Sequence, residues 1–293
     1  MTTSAVSPKR SKRKGSLAGQ IFVWVAVIVA VCWAAFPFYW AIITSLKPPA
    51  VILSKPSLIP FLQFTPTLSN WASEFTNRLP EISRALRNSL IISIGATLIA
   101  TSLGTLAGYG LARFRFRRWK NKDMSLWFLS QRFLPPVVTV IPFFMVMQSI
   151  GLLDSLLALI LANATFTLPF AVLIMRDFFK DLPIEMEESA YVDGASHMQA
   201  FWHISLPLSK PAIAAAAVIA FAFSWNEFLF GLVLSYKNAT PITVLIAGVE
   251  HTQGIQFWFV ATRLLIAILP PALLALTAQR FIVRGLTFGA VKG

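Results

Sequence analysis

Three ionisable side chains, Arg132, Glu227 and Arg263, fall within or beside stretches that are otherwise apolar. A charge in hydrocarbon costs about 2.5–3.5 kcal/mol even on the lenient insertion scales, so such residues face a polar path or a partner. Two chemistries are open to these three. They can line a route for a hydroxylated solute, with Glu227 and its neighbour Asn226 supplying hydrogen-bond acceptors. They can instead pair with one another, or Arg263 can snorkel to the interface. Covalent chemistry is poorly served. His197, His203 and His251 lack metal-ligand spacing, Cys32 is the only cysteine, and no G-x-x-x-x-G-K-[ST] stretch occurs. No nucleophile and base recur at a spacing that supports catalysis.

The elements that must carry these residues are apolar spans. Of 293 residues 56% are hydrophobic and only 13% charged, where a soluble domain carries roughly 25%. Six stretches reach the roughly 20 residues a bilayer requires: 17–46, 88–112, 124–150, 155–175, 209–236 and 258–282. The first is too long for the apolar region of a cleaved signal peptide. The expected fold is therefore an all-α polytopic membrane protein with six transmembrane helices.

A net charge of +13 raises the question of nucleic acid, but its placement points elsewhere. Five basic residues (Lys9 to Lys14) precede the first span, and six more (Arg113 to Lys122) follow the second. With the N-terminus inside, seventeen Lys and Arg fall on inner segments and seven on outer ones. That asymmetry predicts both termini in the cytoplasm, and nucleic acid is not an expected partner. The basic tail is expected to meet lipid headgroups.

One inner loop breaks the charge rule. Between Arg176 and Lys210 three basic residues oppose Asp177, Asp181, Glu185, Glu187, Glu188 and Asp193. A net charge of −3 is not drawn to anionic lipid, so the loop is suited to a protein partner. Asp181 and Pro183 predict a helix start with three glutamates near its positive end. Asp193–Gly194 then predicts a turn. A second short amphipathic stretch, 198–204, leads into Leu206–Pro207. Separately, Gly104 and Gly108 form a G-x-x-x-G, expected to let two helices of this subunit pack closely.

The spacing of this loop carries a resemblance. Glu188–Ser189–Ala190, Gly194 four residues on, and Ile204–Ser205–Leu206–Pro207 after nine intervening residues resemble the EAA loop of ABC importer permeases. Ser189 stands where the family triplet has its first Ala; Asp193, Ala195 and Pro211 also resemble the pattern. Arg132–Phe133–Leu134–Pro135–Pro136, Trp225–Asn226–Glu227–Phe228 and the C-terminal run 285–293 are similar to the carbohydrate branch, the MalG-like permeases.

The resemblance implies a type I ABC importer permease fold. It divides the chain into a basic cytoplasmic tail (1–16), a first transmembrane helix with an external segment (17–87), a permease core (88–282) holding the coupling loop (177–211), and a cytoplasmic tail (283–293). Glu188, Ala190, Asp193, Gly194, Ile204, Leu206 and Pro207 would couple the chain to an ATPase; Arg132, Asn226 and Glu227 would lie along the substrate path. No cofactor is expected in this chain, ATP and Mg being held by partner subunits. The implied partners are a second, different permease, two copies of a cytoplasmic ATPase subunit and an external solute-binding protein, in the inner membrane of a bacterium. The function implied is ATP-driven import of a sugar, polyol or related solute. The competing class is an ion-coupled secondary carrier, which needs a midplane ion site and often inverted repeats. Only Glu227 could serve as that site, and no repeat is evident.

Overall fold

The computed structural model describes residues 17–54, 56–248, 250–251 and 254–287. The basic tail 1–16 and residues 288–293 of the expected C-terminal tail lie outside them.

The described residues fold as helices, with one two-residue antiparallel pair among them, β1 (Glu250–His251) with β2 (Gly254–Ile255). α1 (Leu17–Ser45) is followed by the short α2 (Pro49–Ser54) and α3 (Ser69–Asn77). The long α4 (Leu79–Arg113) then begins with Pro80 in its first turn, where a missing N–H costs nothing. It therefore starts nine residues before the expected span. Next come α5 (Asn121–Gln131), α6 (Pro136–Ser149) and α7 (Leu156–Asp181). The loop helices are α8 (Glu185–Val192), α9 (His197–Ala200), a π-turn over Phe201–Ser205, and α10 (Leu206–Leu208). α11 (Lys210–Trp225), α12 (Leu229–Leu234), α13 (Ile242–Ala247), α14 (Phe257–Ala267) and α15 (Leu269–Thr287) complete the chain.

Among the described residues, four helices are long and apolar enough to cross a membrane, and two bent pairs bring the number to as many as six. The expected third span, 124–150, is not one helix: α5 and α6 meet at 91°. Pro135 is extended (ψ 131°) and Pro136 opens α6. Two consecutive prolines remove two N–H donors and push the preceding residue out of the helical region, so the chain turns there. The expected fifth span, 209–236, likewise stops at Trp225 and resumes at Leu229, and α11 itself is bent by 70° from the loop helices before it.

The core is the α4–α7 pair, with α11 packed against both. Gly104 and Gly108 make that pairing possible within the subunit, as expected from their spacing. A Cβ on Gly104 would sit 2.5 Å from the Ala171 Cβ and 2.9 Å from its backbone carbon; one on Gly108 would sit 2.7 Å from the Arg176 nitrogen. Gly104→Leu is therefore expected to lower stability by about 3 kcal/mol or more, since backbone rather than a movable side chain blocks it. Gly110→Ala, whose nearest neighbour would be a Phe116 ring atom at 4.0 Å, should be neutral. Thermal unfolding of both variants in detergent checks the contrast.

α1 stands apart. It lies against α14 and exposes Phe22, Trp24, Trp33 and most of its other large side chains. At the opposite end of the bundle from the loop helices, Asp154 joins two connections. It accepts backbone hydrogen bonds from Tyr236, Lys237, Asn238 and Ala239, at 2.9–3.1 Å. Burial alone would raise its carboxyl; those four N–H groups outweigh it and hold it below the usual carboxylate range.

Candidate functional site

The loop after α7 is built around one left-handed residue. Asp181 ends α7 rather than starting the next helix, and α8 begins at Glu185 with all three glutamates in its first turn. α8 stops at Asp193, and Gly194 takes φ +87°, a conformation that L side chains rarely adopt. Ser196 then starts α9 through a capping box. Its hydroxyl accepts from the Gln199 N–H while the Gln199 side chain accepts from the Ser196 N–H.

The two limbs enclose an open hollow of about 350 Å³ whose lining includes Ala190, Asp193, Gly194, His203 and Ile204. Glu188 lies outside that lining but is exposed on α8. Pro207 is exposed, whereas Leu206 packs toward a cluster that includes Tyr109, Met175, Phe179 and Phe201. So four of the seven residues expected to couple this chain share the hollow with His203, Leu206 packs on the core cluster, and Glu188 and Pro207 are exposed outside the hollow.

What fixes the loop is a residue that sequence reasoning passed over. Glu187 is 1% exposed. Its carboxylate accepts from Arg113 Nε at 2.8 Å, Ser205 Oγ at 2.6 Å, the Tyr109 hydroxyl at 3.0 Å and the Tyr191 hydroxyl at 3.3 Å. Arg113 also donates to the Leu182 carbonyl at 2.9 Å. Burial would push the Glu187 carboxyl up, but the bonds from Ser205, Arg113 and Tyr109 hold it below its ordinary value. The available signal was the helix itself: adjacent glutamates point about 100° apart, so 187 and 188 cannot both face a partner.

A second site lies where two helices break. The gap before Pro136 and the gap after Trp225 both border a cavity of about 250 Å³. Arg132, Glu227, Asn163, Phe166, Phe170 and Phe223 are among its walls. The Arg132 guanidinium lies 3.9 Å above the centre of the Phe170 ring. Glu227 accepts from the Phe230 and Gly231 N–H groups at 2.9 and 3.2 Å, so its carboxylate caps α12. The structure thus brings Arg132 and Glu227 together. Asn226 is outside the lining; its amide donates to the Ala222 carbonyl at 2.9 Å.

Arg263 belongs to neither site. It is 1% exposed and makes a two-point bond to Glu74 of α3, at 2.8 and 3.1 Å, while a third N–H reaches the Leu245 carbonyl at 3.0 Å. It pairs with a residue of the segment before α4, not with Arg132 or Glu227. Among the described residues no three His, Cys, Asp or Glu side chains gather to hold a metal.

A bundle of long apolar helices, two of them broken around a small cavity walled by phenylalanines with Arg132, Asn163 and Glu227, and an exposed helix–elbow–helix loop at one end, suits a transport subunit. The chain matches the model of the binding-protein-dependent transport system inner membrane component over residues 100–288, and it belongs to that family. The trehalose transport system permease protein SugB of Mycobacterium tuberculosis is 36% identical, with 90% of this chain and 95% of that protein covered. The sulfoquinovosyl glycerol transport system permease protein SmoH of Agrobacterium fabrum is 31% identical, and both chains are covered in full. A solved bacterial ABC transporter involved in import of the acidic polysaccharide alginate has the same fold. Its TM-score is 0.74 at 19% identity, over 94% of this chain and 99% of that one. The chain is a permease subunit of an ABC importer, a multi-pass protein of the inner membrane, and the ion-coupled alternative falls away.

Proposed function

We propose that this chain is one of two unlike permease subunits of an importer for a sugar, polyol or related solute. The single observation that carries this reading is the pairing of an exposed elbow at Gly194 with a separate cavity at the two helix breaks. One site is suited to receive force and the other to hold a solute. The six spans are α1, α4, the α5–α6 pair, α7, α11 and α14–α15, and both termini lie in the cytoplasm. The excess of Lys and Arg on that side supports the orientation.

On the cytoplasmic side Glu188, Ala190, Asp193, Gly194 and Ile204 meet a cytoplasmic ATPase subunit, with Leu206 and Pro207 fixing the loop to the membrane core. ATP and Mg sit on two copies of that ATPase, since this chain has no phosphate-binding loop. Closure of the ATPases becomes rigid-body motion of the permease pair, which switches access from one side to the other. An external solute-binding protein delivers the cargo, as the family's description implies. Sugar relatives and aromatic cavity walls support a carbohydrate-like solute, whose ring faces stack on Phe while hydroxyls meet polar groups. Arg132 supplies donors there, and Glu227 shapes the cavity by holding α12 as well as presenting acceptors.

Copurification of the tagged chain with its ATPase, followed by ATP-driven uptake in proteoliposomes, tests the reading. Arg132→Ala removes a charged hydrogen-bond donor worth roughly 1.5–3 kcal/mol, so uptake should fall about tenfold or more while the complex still assembles. Glu227→Gln should also cut uptake without loss of assembly, and Asn226→Ala should be near wild type. Full uptake by Arg132→Ala would remove the cavity from the solute's route.

A further inference from the structure

We propose that Glu187 is the residue that makes the loop rigid, so that displacement at the elbow reaches the membrane helices rather than being absorbed locally. This rests on the reading that the loop receives force from the ATPase, and it concerns a residue that does not face the ATPase at all.

Four side chains from three elements converge on this one carboxylate. Arg113 and Tyr109 come from the last turns of α4, Tyr191 from α8 itself, and Ser205 from the π-turn in the second limb. The two limbs on either side of Gly194 are thereby tied to each other and to α4. The second limb is also packed where it is tied: the Tyr109 ring lies 4.7 Å from Phe201 and 5.3 Å from Phe179 of α7, centre to centre. Arg113 adds a bond to the Leu182 carbonyl, fixing the connection between α7 and α8.

Without the carboxylate, the elbow would be a chain of short helices joined at a flexible glycine. None of α8, α9 or α10 exceeds 8 residues, and helices that short do not hold their shape alone. With it, a push on α8 acts through buried charged hydrogen bonds, which are stronger than neutral ones. The push then passes to α4, and through the close contact at Gly104 and Gly108 to α7. Glu187 is thus a positioning residue for transport, acting through α4.

The diagnostic quantity is solute moved per ATP hydrolysed, measured on the assembled importer in proteoliposomes. Glu187→Ala should keep its ATPase bound and hydrolysing, while solute per ATP falls about tenfold. Ser205→Ala, which removes a single bond and is mild enough to fold, should lower the ratio about two- to fivefold; Glu187→Gln, which still accepts hydrogen bonds, should recover part of the loss. Two results would overturn the proposal: an unchanged ratio in Ser205→Ala and Glu187→Ala, or a parallel fall in hydrolysis and transport at constant ratio. Failure of the docking reading looks different, because then Glu188→Arg on the exposed face would leave ATPase binding intact.

Discussion

Gly194→Glu is expected to abolish uptake while leaving the protein inserted and folded in the membrane. Two effects combine. Gly194 has φ +87°, and a side chain there costs about 1–2 kcal/mol of backbone strain. A Cβ at that position meets no heavy atom within 4 Å, so this chain alone does not resist the bulk. On the proposed docking the penalty falls on the docked state, where a carboxylate enters the surface offered to the ATPase. A fall of about a hundredfold in uptake corresponds to roughly 3 kcal/mol of lost coupling. Gly194→Asn separates the contributions, because Asn tolerates the left-handed region and adds little bulk. It should retain much of the uptake. Normal uptake by Gly194→Glu would remove the elbow from the mechanism.

Arg263→Met should give the largest loss of stability. Its removal strands the Glu74 carboxylate, which has no exposed surface, and breaking a buried pair in this way costs about 3–5 kcal/mol. Replacing both partners, Glu74→Leu with Arg263→Met, should recover most of the loss, since neither charge then remains buried. Arg263→Lys should not substitute, because a two-point bond to the carboxylate and a third to the Leu245 carbonyl need the guanidinium fork. The check is thermal unfolding of the purified complex in detergent. Equal destabilisation by the single and double replacements would mean the pair is not what holds α3 to α14.

Four of the expected spans, the first, second, fourth and sixth, were legible because apolar length is a one-dimensional signal, and the Gly194 turn because few residues take a positive φ. The G-x-x-x-G spacing likewise predicted the close approach of α4, though not that α7 is what it meets. The break at Pro135–Pro136 was also written in the chain, yet the apolar run across it reads as one continuous span; local stereochemistry outweighed hydropathy there. Asp154, Glu74 and Glu187 were illegible for a common reason. Each binds groups at least 70 residues away, at 236–239, 263 and 113 respectively, and no local pattern encodes such a partner. Glu227 was readable as a charge in a span but not as the cap of α12, which depends on α11 ending at Trp225.

On the proposed reading, exposed Glu188 and buried Glu187 divide the loop's work between a docking face and an anchor, and the exposed face is where the account is most directly tested. A photo-reactive amino acid placed at Glu188, in the intact importer in native membranes, reports what that face touches. The account predicts an adduct with the cytoplasmic ATPase subunit, lost when Gly194→Glu is added, and no such adduct from a probe at Trp33 on α1. A probe at 188 that labels only lipid, or nothing, would contradict it.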